Sequence, residues 1–284
     1  MRRPRRIYDA FLVPGSLVQI LLFVVPLGAV ILFSFGTTNV VGLPKIGFTW
    51  SNYSQALQSY YIPVLLRTLL FAFATTVISL CLAYPLAYFM ARFAQRWGRW
   101  VIAAIVLTWL VDYLVRIYAW TALLDDNGLI NNLLGDLGLG PVHMLGTNGA
   151  VIVGLVYVYL PLMVLPLYAA VADLDPSLIE AGKDLYGTPR GTFWHVTLPS
   201  TRAGVVGGIL LVFLPACGDF ATAQFLGGPQ STMIGNLINE QFTNSGSITF
   251  GSALTVILLL ILLAGLLLAS RAARGALSGR TELV

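Results

Sequence analysis

Charge is scarce in this chain. Only 10% of its 284 residues are Asp, Glu, Lys or Arg, while 57% are hydrophobic; a soluble domain carries about a quarter charged residues. So few charges cannot cover a water-exposed surface, which rules out an ordinary soluble domain and makes lipid the main solvent. Cysteine and histidine are equally sparse. Cys81 and Cys217 sit in apolar runs, and His143 and His195 lie far apart. This argues against a disulfide framework or a zinc cluster, and both cysteines read as small buried hydrophobes. Lysine occurs twice, at Lys45 before Ile46 and at Lys183 before Asp184. A Walker A loop needs Lys followed by Ser or Thr, so ATP hydrolysis by that route is excluded. No nucleophile–base pair and no metal-ligand cluster stands in its place. The chain therefore reads as non-enzymatic, with no catalytic residue, no metal and no cofactor of its own.

Long apolar runs are what the sequence does have. Ala10–Phe35 contains no charge, although Pro14 and Pro26 fall inside it. Further spans are expected at Thr68–Ala91, Trp100–Leu124, Gly149–Val171, Thr201–Ala223 and Phe250–Ser270, which makes six of about 20 residues each. The start, with Arg2, Arg3, Arg5 and Arg6, has the charge of a signal peptide. The apolar run is too long for one, so a retained span is expected. Six spans put both termini on one side. The N-terminal tail (1–9), the second-to-third loop, the fourth-to-fifth loop and the C-terminal tail (271–284) together hold thirteen of the sixteen basic residues. The positive-inside rule makes that side cytoplasmic. Because the basic residues flank spans instead of forming one soluble face, nucleic acid is not an expected partner.

The loop after the fourth span, residues 173–199, is too polar to cross a membrane and too well punctuated to be a linker. Asp175-Pro176 is an N-cap followed by a first-turn proline, and Gly187 is a C-terminal stop. A short helix over Pro176–Leu185 follows, and Thr188-Pro189 repeats the start signal for a second. Pro199 leads into the fifth span.

At these residues the chain resembles the membrane permease subunits of ABC importers. Glu180-Ala181, Lys183-Asp184-Leu185, Phe193, Val196 and Leu198-Pro199 sit at the offsets of their cytoplasmic EAA loop. Gly182 replaces the second Ala of that pattern, and Tyr186 takes the usual Gly place with Gly187 one residue later. Three further stretches resemble spermidine/putrescine-type permeases: Leu114–Trp120 with Asn127–Asn131, Gly218-Asp219-Phe220 with Phe225–Pro229, and Met233–Phe242. The resemblance implies an all-α bundle of six transmembrane helices in a single domain, residues 1–284, in a bacterial inner membrane. It implies a coupling helix pair that docks on a separate ATPase subunit through Glu180, Ala181, Gly182, Asp184, Leu185 and Gly187. ATP and Mg would be held by that partner. A second permease chain of different sequence, an extracytoplasmic solute-binding protein and a small solute complete the expected partners. That solute is a polyamine, or another small organic molecule such as an opine, aminoethylphosphonate or amino-acid derivative.

Charges inside spans are costly and mark candidate sites. Asp112 and Arg116 are four apart, so they share a helix face and are expected to pair, either structurally or on the solute path. Asp219 has no neighbour to pair with. It either lines the path or accepts backbone hydrogen bonds at a helix break near Gly218, with Pro215 kinking the span before it. Tyr113, Tyr118 and Trp120 offer cation–π faces or belong to an interfacial belt. The segment from Gly36 to Arg67, with the loops 125–148 and 224–249, faces outside and is expected to receive the binding protein. Two other classes fit less well: an ion-coupled secondary transporter using Asp112 and Asp219, which leaves the 173–199 loop unexplained, and a membrane enzyme, which lacks a reactive cluster.

Overall fold

A computed structural model describes residues 5–39, 44–243 and 247–278. Arg2, Arg3 and Arg280, three of the basic residues that set the expected orientation, lie outside the described residues. The chain is almost wholly helical. In order come α1 (Arg5–Ser34), the two-residue strands β1 (Thr37–Thr38) and β2 (Pro44–Lys45), α2 (Ser51–Ala56), α3 (Tyr61–Arg92), α4 (Gln95–Leu110) and α5 (Tyr113–Leu124). Then follow α6 (Leu129–Asp136), α7 (Asn148–Ala172), α8 (Pro176–Tyr186), α9 (Pro189–Thr192), a π-helical turn (Phe193–Thr197), α10 (Leu198–Gly218), α11 (Ala221–Leu226), α12 (Ile234–Thr243) and α13 (Ile248–Ser278). Among the described residues five helices are long and apolar enough to cross a membrane, and the number is six if the bent pair, Trp100–Leu110 with Tyr113–Asp136, counts as one crossing. The helices outrun the expected spans: α3 begins seven residues before Thr68, and α13 continues into the expected C-terminal tail.

The chain packs into two units, Met1–Ile62 with Leu237–Ile261 and Pro63–Asn236 with Leu262–Val284. In the first, Leu21, Phe23 and Val25 of α1 are exposed, as suits side chains whose solvent is lipid. The end of α1 is tied off by Asn52, whose amide donates to the carbonyls of Ser34 (3.0 Å) and Gly36 (2.9 Å), two acceptors left free by the helix terminus. The Phe35 ring stacks on Phe48 at 5.2 Å and meets Trp50 edge-on at 5.3 Å. Strands β1 and β2 pair antiparallel beside this cluster. A Cβ on Gly36 would lie 2.9 Å from the Lys45 carbonyl oxygen, so only glycine lets the strands close there.

The second unit is built on α7 against α10. Its core joins Met90 of α3 with Met163, Leu167 and Val212. Gly204 and Gly208, four apart on α10, let the two backbones meet. A Cβ on Gly204 would stand 2.5 Å from Ala170 Cβ and 2.7 Å from the Pro166 carbonyl oxygen. Interhelical contact without side chains between is how helices gain van der Waals attraction where no hydrophobic effect drives them together. The Tyr84 and Thr201 hydroxyls are 2.8 Å apart across α3 and α10.

Two expected spans are broken. Trp100–Leu124 does not run through: α4 ends at Leu110, Val111 is extended (ψ 136°), and the second half leaves at 93°. Asp112 is the cause, since its side chain accepts from the amides of Leu114 (2.9 Å) and Val115 (3.3 Å) and so starts a new helix. Thr201–Ala223 also stops, at Gly218, and restarts at Ala221. Cys81, expected to be buried, is exposed on α3, whereas Cys217 is buried. Cys81 sits on the side of its span that faces away from the chain's own packing.

Gly204→Ala is expected to push α10 off α7 and to cost about 1–3 kcal/mol. Gly15→Ala, where nothing lies within 4 Å of the added carbon, should be neutral or slightly stabilising. Thermal unfolding of both variants in detergent separates them; equal midpoints would refute the close-contact account.

Candidate functional site

The break between α10 and α11 places a carboxylate inside the second unit. Asp219 is 5% exposed. Its Oδ1 accepts from the Thr222 amide at 2.9 Å, which caps the first turn of α11. Its Oδ2 accepts from three hydroxyls: Tyr113 at 2.6 Å, Tyr159 at 2.9 Å and Thr222 at 3.0 Å. Four donors match the acceptor capacity of a carboxylate. They hold its charge in a low-dielectric site at no reorganisation cost.

The breaks meet at this point. Tyr113 is the first residue of α5, just past the Asp112 break, and Tyr159 projects from the middle of α7. The start of α12 closes over the break from another direction. A Cβ on Gly235 would lie 2.8 Å from the Asp219 carbonyl oxygen, and the Asn236 amide donates to the Phe220 carbonyl at 2.8 Å. The stretches Gly218–Phe220 and Met233–Asn236, separate in sequence, are thus one structural device.

Beside the carboxylate lies a cavity of about 340 Å³ lined by Trp109, Tyr113, Arg116, Val158, Tyr159, Pro215, Gly218, Asp219 and Phe220. Three of the expected path residues (Tyr113, Arg116 and Asp219) come together there. Asp112, Tyr118 and Trp120 are not among its walls. The expected Asp112–Arg116 pair does not form: Asp112 is a cap at the bend, and no carboxylate lies within ion-pairing distance of Arg116 among the described residues. The four-residue spacing implies a pair only if the helix is continuous, and here it begins at Tyr113. The Tyr118 ring packs on Phe225 at 4.9 Å and Trp120 on Tyr157 at 5.4 Å. Tyr159 was not among the sequence candidates. A hydroxyl in the centre of so apolar a span was the available signal.

The cytoplasmic-type loop folds as its punctuation predicts. Asp175 accepts from the Ser177 amide at 2.9 Å. Hydrogen bonding from Ser177, its amide first, holds the Asp175 carboxyl below the usual carboxylate range. The cap's contribution is complete above the ordinary aspartate pKa and is lost only as pH falls through the lowered one. α8 runs one residue past Leu185 and ends at Gly187, which takes φ +62°, a conformation open chiefly to glycine. Thr188 caps α9 through the Gly191 amide at 3.1 Å.

Both departures from the EAA pattern have physical reasons. Gly182 is buried, and a Cβ there would lie 2.9 Å from Thr192 Cγ2 and 2.9 Å from Val196 Cγ2, so α8 lies tight on the following turn. Tyr186 stacks on His195 at 4.6 Å between centroids, while His195 Nδ1 bonds the Gly191 carbonyl at 2.9 Å. Arg92 at the end of α3 donates to the Leu174 carbonyl and fixes where the loop leaves its span. Glu180, Asp184 and Leu185 remain exposed on the outer face.

Tyr113→Phe and Tyr159→Phe each remove one hydrogen bond to a buried charge and should cost about 1.5–3 kcal/mol. Asp219→Ala should cost more, since it orphans three hydroxyls and an amide. Asp112→Ala removes only a cap, worth about 1 kcal/mol. Thermal unfolding in detergent ranks the four; equal losses for the two aspartates would contradict the buried-network assignment.

Comparison with known proteins agrees with this architecture. Residues 83–276 match the family described as "Binding-protein-dependent transport system inner membrane component". The spermidine/putrescine transport system permease protein PotB of Salmonella typhimurium (strain SL1344) is 37% identical over 243 residues, 85% of this chain and 85% of that protein. PotB of Escherichia coli (strain K12) is 36% identical over 243 residues, 85% of this chain and 88% of its own length. Among solved structures, a chain of a bacterial ABC transporter involved in the import of the acidic polysaccharide alginate superposes with a TM-score of 0.75 at 16% identity, over 94% of this chain and 95% of that one. That likeness concerns the fold alone. The chain belongs to the inner membrane components of binding-protein-dependent transport systems and is a multi-pass permease of the ABC importer class.

Proposed function

We propose that this permease carries a small organic amine, of the polyamine class, into the bacterial cytoplasm. The names of its PotB relatives supply the solute class, and the aromatic cavity beside Asp219 supports it, since ring faces attract ammonium groups. The observation that carries the machine is α8. It is capped at both ends, backed by Gly182 against the π-helical turn, and it presents Leu185 76% exposed and Leu178 49% exposed. A short helix with an unpartnered apolar edge fits a groove on another protein.

In this reading α8 and α9 lie on the cytoplasmic side with both chain termini, and Glu180, Ala181, Asp184, Leu185 and Gly187 form the contact with an ATPase subunit, while Gly182, buried against Thr192 and Val196, supports them from behind instead of touching the partner. ATP and Mg are held there, not on this chain. A second permease of different sequence completes the pathway, and an extracytoplasmic binding protein delivers the solute to the loops opposite α8. Closure of the ATPase pair moves α8 and switches the cavity from outward to inward access. The chain's own residues shape the path and transmit the movement.

Affinity purification from detergent-solubilised membranes, with mass spectrometry of the co-purified proteins and solute, is the first test. An ATPase, a second permease and a binding protein loaded with putrescine or spermidine are expected. The same complex with another solute would retain the machine and discard the polyamine, and no ATPase would overturn the reading. Glu180→Lys should leave the chain in the membrane yet reduce ATP-driven uptake at least about tenfold, as expected for a lost charged contact. Gly182→Leu should do the same by lifting α8 from Thr192 and Val196. Normal uptake in both variants would refute the docking role.

A further inference from the structure

Four rings close the C-terminal end of α1. Phe35, directly after the helix, stacks on Phe48, meets Trp50 edge-on and lies 5.1 Å from Tyr53 between centroids, and Phe48 meets Trp50 at 5.9 Å. The cluster is fastened to the helix. The Tyr53 and Ser34 hydroxyls are 2.7 Å apart, and the Thr49 amide donates to the Phe35 carbonyl at 2.8 Å. The rings touch one another without being covered: Phe48 stays 75% exposed and Trp50 62%. Ile46, Leu57 and Tyr60 are exposed as well. The segment is a rigid platform with an unpartnered apolar face.

Depth indicates what covers that face. The apolar part of α1, Pro14–Ser34, is 21 residues long. At the rise of an α-helix that is about 32 Å, close to the thickness of a bilayer's hydrocarbon core, about 30 Å. Phe35 then stands where hydrocarbon gives way to headgroups, the level at which Trp and Tyr concentrate. The platform is also continuous with a lipid-facing surface, since Leu32 in the last turn of α1 is exposed. Charge points the same way. From Phe35 to Tyr60 the chain carries one charged residue, Lys45. It is exposed, and a lysine stem can lie along apolar surface while the ammonium reaches lipid phosphates. The other two segments expected to receive the binding protein differ in kind. Residues 125–148 include Asp125, Asp126 and Asp136, and residues 224–249 include Glu240; such charges steer and register a protein partner. Backbone groups are no obstacle in the interface, because β1 pairs with β2, α2 is helical and Asn52 takes the last carbonyls of α1.

We propose that Ile46, Phe48, Trp50 and their neighbours form an interfacial foot seated in the lipid leaflet at the end of α1, the outer leaflet in the orientation proposed above. The binding protein does not touch it. The inference goes beyond the transport reading and changes one expectation from the sequence: the first part of Gly36–Arg67 belongs to the membrane, and docking is left to 125–148 and 224–249.

Spin labels on single cysteines test this in the complete complex reconstituted in liposomes, in a Cys81→Ser background that removes the exposed native thiol. Ile46→Cys, which lies outside the ring cluster, and Phe48→Cys are compared with Asp126→Cys, at an exposed position of the acidic loop. Oxygen, which partitions into lipid, should relax the labels at 46 and 48 more than a water-soluble nickel chelate does, and the order should reverse at 126. Added solute-binding protein should leave the spectra at 46 and 48 unchanged. Greater relaxation by the chelate at both positions, or immobilisation of either label by the binding protein, overturns the proposal. Exclusion of both reagents overturns it too, by placing the second permease over the face. None of these results touches the importer reading, whose failure shows instead as a complex without an ATPase.

Discussion

A carboxylate buried in an apolar bundle must be met by hydrogen-bond donors, and the arrangement around Asp219 follows from that requirement. The carboxylate takes one amide and three hydroxyls. To deliver them, α5 must begin beside the α10–α11 break, α7 must carry Tyr159 at that level, and α11 must start within three residues of the aspartate. The bend at Asp112 is thus more than a local irregularity, because it brings Tyr113 to the network. Both interruptions are capped by a carboxylate, but only the one at Asp219 is buried within the chain; the one at Asp112 is exposed on its surface.

The cytoplasmic-type loop is organised on a different principle. Its elements are held by backbone geometry and absence of bulk: Gly187 turns the chain, Gly182 lets α8 settle on the next turn, and threonine and aspartate caps fix the helix starts. The outer face is left with Glu180, Asp184 and Leu185. A surface held from behind and unpartnered in front is pre-organised, so little ordering entropy opposes docking.

This contrast explains what the sequence discloses. The punctuation of the 173–199 loop acts within a few residues, and Asp175-Pro176, Gly187 and Thr188-Pro189 each mean one thing locally. The helix boundaries there are therefore legible to within a residue. Spans are legible because length and apolarity suffice. The breaks are not. An aspartate in an apolar run reads equally well as half of an ion pair or as a cap, and the choice depends on whether the helix continues. Tyr159 lies 60 residues from Asp219 and Tyr113 lies 106, so no window around Asp219 contains its donors. The EAA departures at Gly182 and Tyr186 likewise acquire meaning only once Val196 and His195 are folded against them.

The helical run from Pro189 to Gly218 is continuous for 30 residues, through α9, the π-helical turn and α10. At 1.5 Å per residue it is a rod of about 45 Å. Gly182 and Tyr186 press on one end, and Asp219 follows directly on the other. A rod of that length converts a tilt of about 5° at one end into a displacement of about 4 Å at the other, more than the length of a hydrogen bond. The Asp219 network therefore sits at the far end of a lever whose near end is the loop helix α8, where the distances to the tyrosines are most sensitive to the rod's tilt.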